Sequence, residues 1–241
     1  MRQLGDMTVL GDPPAKLWKA LAAIAAELHP TFAAQPWIEH KDKSKESCVL
    51  TSLAVRDFLR LIGIPARVRP VCTIMQAHKD GKPVHSLGIG HPHQEKRKRF
   101  WIGHMVVQVP VPWAPVAPPG HSFLIDTTLY PAIRPQWRGA ITGMLAIPTQ
   151  PDDLRRHLDM KMLTAFEAID KDGLIFELFY LDNPRNTAWK RGGDARDLTR
   201  RTAAVAAMLD QWKKGPGVSP GQDDTRRIDT PLSTERDEHL M

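Results

Sequence analysis

Apolar residues recur at helical spacing near the start of the chain. Leu17, Trp18, Leu21, Ile24, Ala25 and Leu28 form one stripe, which predicts an amphipathic helix from Pro13 to about Leu28. Asp12 stands where an N-cap belongs, the following prolines suit a first turn, and Pro30 closes the pattern. A polar stretch, His40 to Glu46, separates this helix from a second one, Ser47 to Ile62. Its apolar positions are Leu50, Leu53, Ala54, Phe58, Leu61 and Ile62, with Thr51, Arg56, Asp57 and Arg60 on the other side. Gly63 then supplies a C-terminal stop.

The pattern changes afterwards. Ile64 to Val71 reads as a strand, and Trp101 to Val111 alternates with a period of two. In the second segment Met105, Val107 and Val109 share one face, and His104, Val106 and Gln108 share the other. A proline-rich connector from Pro110 to Gly120 leads to a short apolar segment, Ser122 to Asp126, expected to pair antiparallel with it. The stretch from His78 to Arg99 is rich in Gly, His and charge, and reads as a long loop or hairpin excursion. Further on, Pro151 to Ala168 suggests helical and irregular structure, Leu174 to Leu181 a strand, and Ala195 to Lys213 a helix. Residues 215–241 hold too few apolar side chains to order themselves and are expected to be a disordered tail.

Composition narrows the class. Hydrophobic residues make up 42% of 241, enough for a substantial core. Lys and Arg number 33 against 27 Asp and Glu, a balance that permits anionic partners without requiring them. Two cysteines do not make a disulfide framework, so a reducing compartment is the simpler expectation. No apolar run reaches the roughly 18 residues of a membrane span. Residues 1–10 carry no secretory pattern. These features together point to a cytoplasmic protein without membrane partners.

The chemistry centres on three residues. Cys48 falls in the first turn of the second helix, where unpaired backbone N–H groups and the helix dipole favour an anion such as a thiolate. Alone, a cysteine there is more often a small buried hydrophobe. His104 lies on a strand, and Asp126 closes the next strand. If those strands pair, the carboxylate can hold the imidazole tautomer while the ring faces the cysteine helix.

The segment Glu46-Ser-Cys48-Val-Leu-Thr-Ser-Leu-Ala54 through Arg60-Leu-Ile-Gly63-Ile64-Pro65-Ala66-Arg67-Val68 resembles the nucleophile helix and first strand of the transglutaminase-like (papain-like) superfamily. Gly103-His104-Met-Val-Val-Gln-Val109 resembles its histidine strand, and Leu124-Ile125-Asp126-Thr127-Thr128 its aspartate strand, in the family's order. The resemblance covers about residues 46–130. It implies an α+β fold with the nucleophile helix packed on an antiparallel sheet, and extra helices. The expected organisation is a catalytic domain over residues 1–185, a helical extension over 186–214 and the tail over 215–241. The implied activity is cysteine-dependent hydrolysis or transfer of acyl groups through a Cys48-His104-Asp126 triad, on a protein or peptide substrate or a small amide or ester. No cofactor is implied. A side-chain oxyanion donor often lies upstream of the cysteine in such folds, and Gln35, Trp37 and His40 are the candidates.

Two other readings stay open. His85, His91 and His93, with His78 and Cys72 nearby, form a histidine-rich segment that would suit a metal, although the spacing matches no recognised ligand motif. Alternatively, a relict triad could remain in a binding or scaffold protein. The basic run Lys96-Arg97-Lys98-Arg99 before Phe100 and Trp101 is read as a solvated hairpin tip in preference to a nucleic-acid contact. Trp18 and Leu21 are expected in the core, and Cys72 buried on a strand.

Overall fold

The computed structural model describes residues 1–5, 7–28, 47–90, 101, 103–111, 121–129, 142–149, 156–157, 159–169 and 173–215. The polar stretch before Cys48, the basic run 96–99, His91, His93 and the tail from residue 216 lie outside them.

The first apolar stripe forms helix α1, Ala15–Glu27, which buries Leu17, Leu21 and Ile24. Its cap differs from expectation. Pro14 occupies the N-cap without a side-chain bond, and Asp12 pairs with Arg2 at 2.8 Å instead. Arg2 can reach it because strands β1 (Arg2–Leu4) and β2 (Met7–Val9) form a hairpin beside the helix. Helix α2, Ser47–Leu61, carries the second stripe. It ends at Gly63, whose φ of +76° lies in the left-handed region where a side chain would be strained. The Ile64 N–H then reaches back to the Leu59 carbonyl at 2.8 Å, closing the helix end.

From there the chain is mostly sheet. Strand β3 (Arg67–Lys79) is longer than the sequence pattern suggests, and it turns at Asp80–Gly81 into β4 (Lys82–Ile89). Both turn residues have positive φ, 51° and 73°, the geometry a two-residue Asp-Gly hairpin requires. Strands β5 (His104–Pro110) and β6 (Ser122–Asp126) pair antiparallel as expected. They are followed by β7 (Met144–Thr149), β8 (Arg156–His157), β9 (Met160–Ile169) and β10 (Ile175–Asp182). The expectation of helix within 151–168 is therefore corrected. Met, Leu, Ala and Glu favour helix locally, but seven residues of β9 align with β10, and that non-local ladder overrides propensity.

The ten strands among the described residues form one sheet, ordered β1-β2-β7-β6-β5-β3-β10-β9-β8, with β4 also on β3. Only β2–β7 is parallel among the described pairs. β3 is the hub. Its first five residues pair with β5, its last seven with β4, and β10 runs along its other edge. The sheet curls strongly: β7 and β9 stand five places apart in strand order, yet Thr164 Oγ1 donates to the Pro148 carbonyl at 3.0 Å. The inner face of the curl buries Val71, Val106, Leu124, Ile147, Leu178 and Tyr180. The outer face, with Val107, Val109, Ile125 and Ala146, packs against α1 and α2.

A 3-10 turn (Ala188–Arg191), a short helix α3 (Gly193–Arg196) and helix α4 (Leu198–Lys214) complete the described chain. Asp197 caps α4 by accepting from the Arg200 N–H at 2.9 Å. α4 joins the same core through Ala204 and Met208. Trp212 meets Phe58 edge-on at 6.4 Å, and Arg201 pairs with Asp57 at 3.0 Å. The molecule is thus an α+β structure whose helices share one face of a curled, mostly antiparallel sheet.

Candidate active site

The β5–β6 register sets the site. Val107 stands opposite Ile125, so one further step places Asp126 opposite Val106. His104 lies two residues before Val106, on the same face and diagonal to Asp126, within reach of two medium side chains. His104 Nε2–H donates to Asp126 Oδ2 at 2.7 Å. The carboxylate is held from other directions as well. Tyr180 of β10 donates its hydroxyl to the same Oδ2 at 2.8 Å, and the Thr128 N–H donates to Oδ1 at 3.0 Å. The last contact is the local side-chain-to-backbone turn that an Asp at a strand end favours.

The nucleophile candidate arrives from the other side of the sheet. α2 lies against β5, and its first turn brings Cys48 into a cluster with Val49, Leu53 and Met105. Ser52 Oγ donates to the Met105 carbonyl at 2.9 Å, fixing the helix to the strand one residue beyond His104. The Cys48 thiol sits within hydrogen-bond reach of the His104 ring. Because Nε2 is engaged by Asp126, Nδ1 is the nitrogen left for sulfur. The structure therefore brings together the three residues that the sequence places far apart.

Burial shapes their charge. Cys48, His104 and Asp126 keep only 5%, 3% and 1% of their surface. Burial alone pushes the His104 imidazolium toward losing its proton, but the Asp126 carboxylate at hydrogen-bond distance outweighs it, and Cys48 adds to the pull. The net result is a rise to about 10. Burial works against the charged form of Asp126 too, yet the His104 charge and the donors of His104, Thr128 and Tyr180 hold it below the usual carboxylate range. Tyr180 is pushed well above an ordinary phenol, by burial first and then by the carboxylate it faces, so it remains a donor.

Partly buried Trp101, Trp189, Val68 and Ala195 surround the Cys48 cluster. Trp101 is anchored by its indole N–H, which donates to Asn186 Oδ1. The backbone is tight here. A Cβ on Gly90 would meet the Val71 carbonyl at 2.9 Å, and one on Gly103 the Asn186 amide nitrogen at 2.8 Å.

The other candidates fall elsewhere. Gln35, Trp37 and His40 lie outside the described residues, as do His91 and His93. His78 pairs with Glu177 across β3 and β10 at 2.9 Å. Cys72 is a free thiol, fully buried in a separate cluster with Ile74, Met162 and Leu181, and burial raises it to about 11. Among the described residues no three of His, Cys, Asp and Glu gather as a metal site would require. No described helix is long and apolar enough to cross a membrane. Tyr180 and Ser52 were not anticipated from the sequence. A tyrosine within a buried strand gives no sign of which carboxylate it will meet.

The chain matches no protein-family model, no curated protein and no solved structure.

Proposed function

We propose that this chain is a cysteine-dependent acyl enzyme of transglutaminase-like architecture, acting on an amide or ester by hydrolysis or transfer. The observation that carries the reading is the 2.7 Å bond from His104 Nε2 to the Asp126 carboxylate, together with the Cys48 thiol close enough to act on the same ring. An imidazolium beside sulfur at a helix start is the partner a thiolate needs.

In the reactive pair the thiol proton rests on His104 Nδ1, leaving an imidazolium beside a thiolate. The thiolate attacks the carbonyl carbon, forming a C–S bond, and the displaced electron pair moves to oxygen. Backbone N–H groups of the first turn of α2 receive that oxyanion. Collapse expels the amine or alcohol, which takes the proton from Nδ1 and leaves a thioester. Water or an amine, deprotonated by His104, then releases the acyl group and breaks the C–S bond. Asp126 holds the ring orientation and its charge throughout. A protein or peptide is the proposed substrate, and two free thiols suit a reducing, cytoplasmic setting.

A second reading has its own observation. With Cys48 at 5% and His104 at 3% exposure, the same trio would serve a silent scaffold as a buried polar cluster. Iodoacetamide labelling of the native full chain, read by peptide mass spectrometry, separates the two. The enzyme reading expects an adduct on Cys48 and none on Cys72, lost in Cys48→Ala. Absence of labelling until denaturant is added would favour the scaffold.

A further inference from the structure

Tyr180 is fully buried, and its hydroxyl donates to Asp126 Oδ2 at 2.8 Å, the oxygen that also accepts from His104 Nε2. This contact is not a local accident of the chain. In strand order β10 is separated from β6 by β3 and β5. Three strand spacings amount to roughly 14 Å in a flat sheet, beyond the reach of a phenol and a carboxylate. Only the curl brings the two together. Tyr180 is registered opposite Thr73 of β3, and its phenol crosses the inner face of the sheet to the end of β6.

Resting on the acyl-enzyme reading, we propose that Tyr180 is a positioning residue for the reaction, which fixes Asp126 and tempers its hold on His104. Two constraints act on one carboxylate. Thr128 fixes Oδ1 from the aspartate's own turn, and Tyr180 fixes Oδ2 from the far half of the sheet. Rotation of the carboxylate would break both bonds, so Oδ2 stays aimed at Nε2. The phenol also withdraws charge from the oxygen that attracts the imidazolium. His104 must both take a proton from sulfur and surrender it to a leaving group, and an unshared carboxylate would hold that proton too tightly. Among the described residues, the ionisable groups facing Asp126 are His104 from β5 and Tyr180 from β10, and Cys48 from α2 acts on the ring.

Tyr180→Phe keeps the aromatic volume and removes the donor. The full-length protein would be followed by two readouts: the His104 Nε2–H proton resonance at neutral pH, and the pH profile of iodoacetamide reaction at Cys48. The expected result is a downfield shift of the proton, as the bond to Asp126 strengthens, with an upward displacement, by about half a pH unit, of the limb of the profile that follows His104 deprotonation. An unchanged resonance and a superimposable profile, with only a lower melting temperature, would reduce Tyr180 to packing and overturn the proposal. If Tyr180→Phe does not fold, 3-fluorotyrosine incorporated in a Tyr130→Phe background leaves one labelled tyrosine, since the chain has two. Its more acidic phenol should move the same resonance upfield, and no movement would overturn the proposal equally. Wild-type protein that fails to react at Cys48 would refute the acyl-enzyme reading itself, a different outcome from a reactive wild type whose profile Tyr180→Phe leaves untouched.

Discussion

Ser52 Oγ donates to the Met105 carbonyl at 2.9 Å, and both residues are buried. This bond joins the helix that carries Cys48 to the strand that begins with His104, four residues from one and one residue from the other. Ser52→Ala strips the bond and leaves a buried carbonyl unpaired, which costs about 1–3 kcal/mol. The expected outcome is a lower midpoint in urea with unchanged m-value, together with slower alkylation of Cys48 because sulfur and ring lose their fixed separation. Equal alkylation rates in wild type and variant would show that the helix is held in place without this bond.

The charged pair predicts a stability window. His104 stands at about 10 in the folded chain against an ordinary 6.5. Its contribution is complete below about pH 6.5 and is lost as pH rises through 10. Asp126 is lowered from 3.8, so its contribution is present above that value and fades as pH falls through the folded one. Both are whole between about pH 4 and 6.5. Asp126→Asn breaks a buried pair and should cost about 3 kcal/mol at pH 5. The gap from wild type should narrow steadily toward pH 10. Denaturant titrations from pH 3 to 10 measure it, and a gap that stays constant from pH 5 to pH 10 would contradict the assigned charges.

How much of this was legible in the sequence differs from one element to another. The alternation through His104–Val109 and the short apolar run Ser122–Asp126 marked two strands, and they pair antiparallel as expected. The stripes of α1 and α2 were equally plain. Strand β9 was hidden, since its residues favour helix until β10 lies beside them. For the stretch from His78 onward the sequence left a loop or a hairpin excursion open, and β3 and β4 form the hairpin about Asp80-Gly81. Asp12 was well placed as a cap, yet Arg2 from the neighbouring hairpin claimed it. Within the site, Cys48, His104 and Asp126 stood out in the sequence as a cysteine at a helix start, a histidine on a strand and an aspartate at the end of the next. Tyr180 did not, because its contact depends on the curl and on no local pattern.

Gly103 immediately precedes His104, and its lack of a side chain is what allows Trp101 to fold back over it. A Cβ there would clash with the Trp101 ring, 2.6 Å from Cε2, and lie 2.8 Å from the Asn186 amide nitrogen. Gly103→Ala must therefore displace the indole, break its bond to Asn186 and open the cluster around Cys48. A loss of about 1–3 kcal/mol is expected for such overpacking, with a red shift of tryptophan emission as the indole meets water. Iodoacetamide should reach Cys48 faster in this variant, because a wall of the cluster has moved. Slower or unchanged labelling would mean that Trp101 does not screen the sulfur.

The Cys48–His104 relationship can be measured without any substrate. The thiol contributes to the rise of His104, both by hydrogen bonding and by charge, in addition to the larger effect of Asp126. Cys48→Ala removes that contribution and leaves Asp126 in place. The His104 midpoint, followed by the ring Cε1 resonance, should fall below the wild-type value of about 10 while staying above an unpaired imidazole. Asp126→Asn should lower it much further, since burial then acts almost unopposed. The order wild type, Cys48→Ala, Asp126→Asn is the signature of a ring that senses sulfur on one nitrogen and a carboxylate on the other. A Cys48→Ala titration that overlays the wild type would separate the thiol from the imidazole and leave His104 and Asp126 as a structural pair.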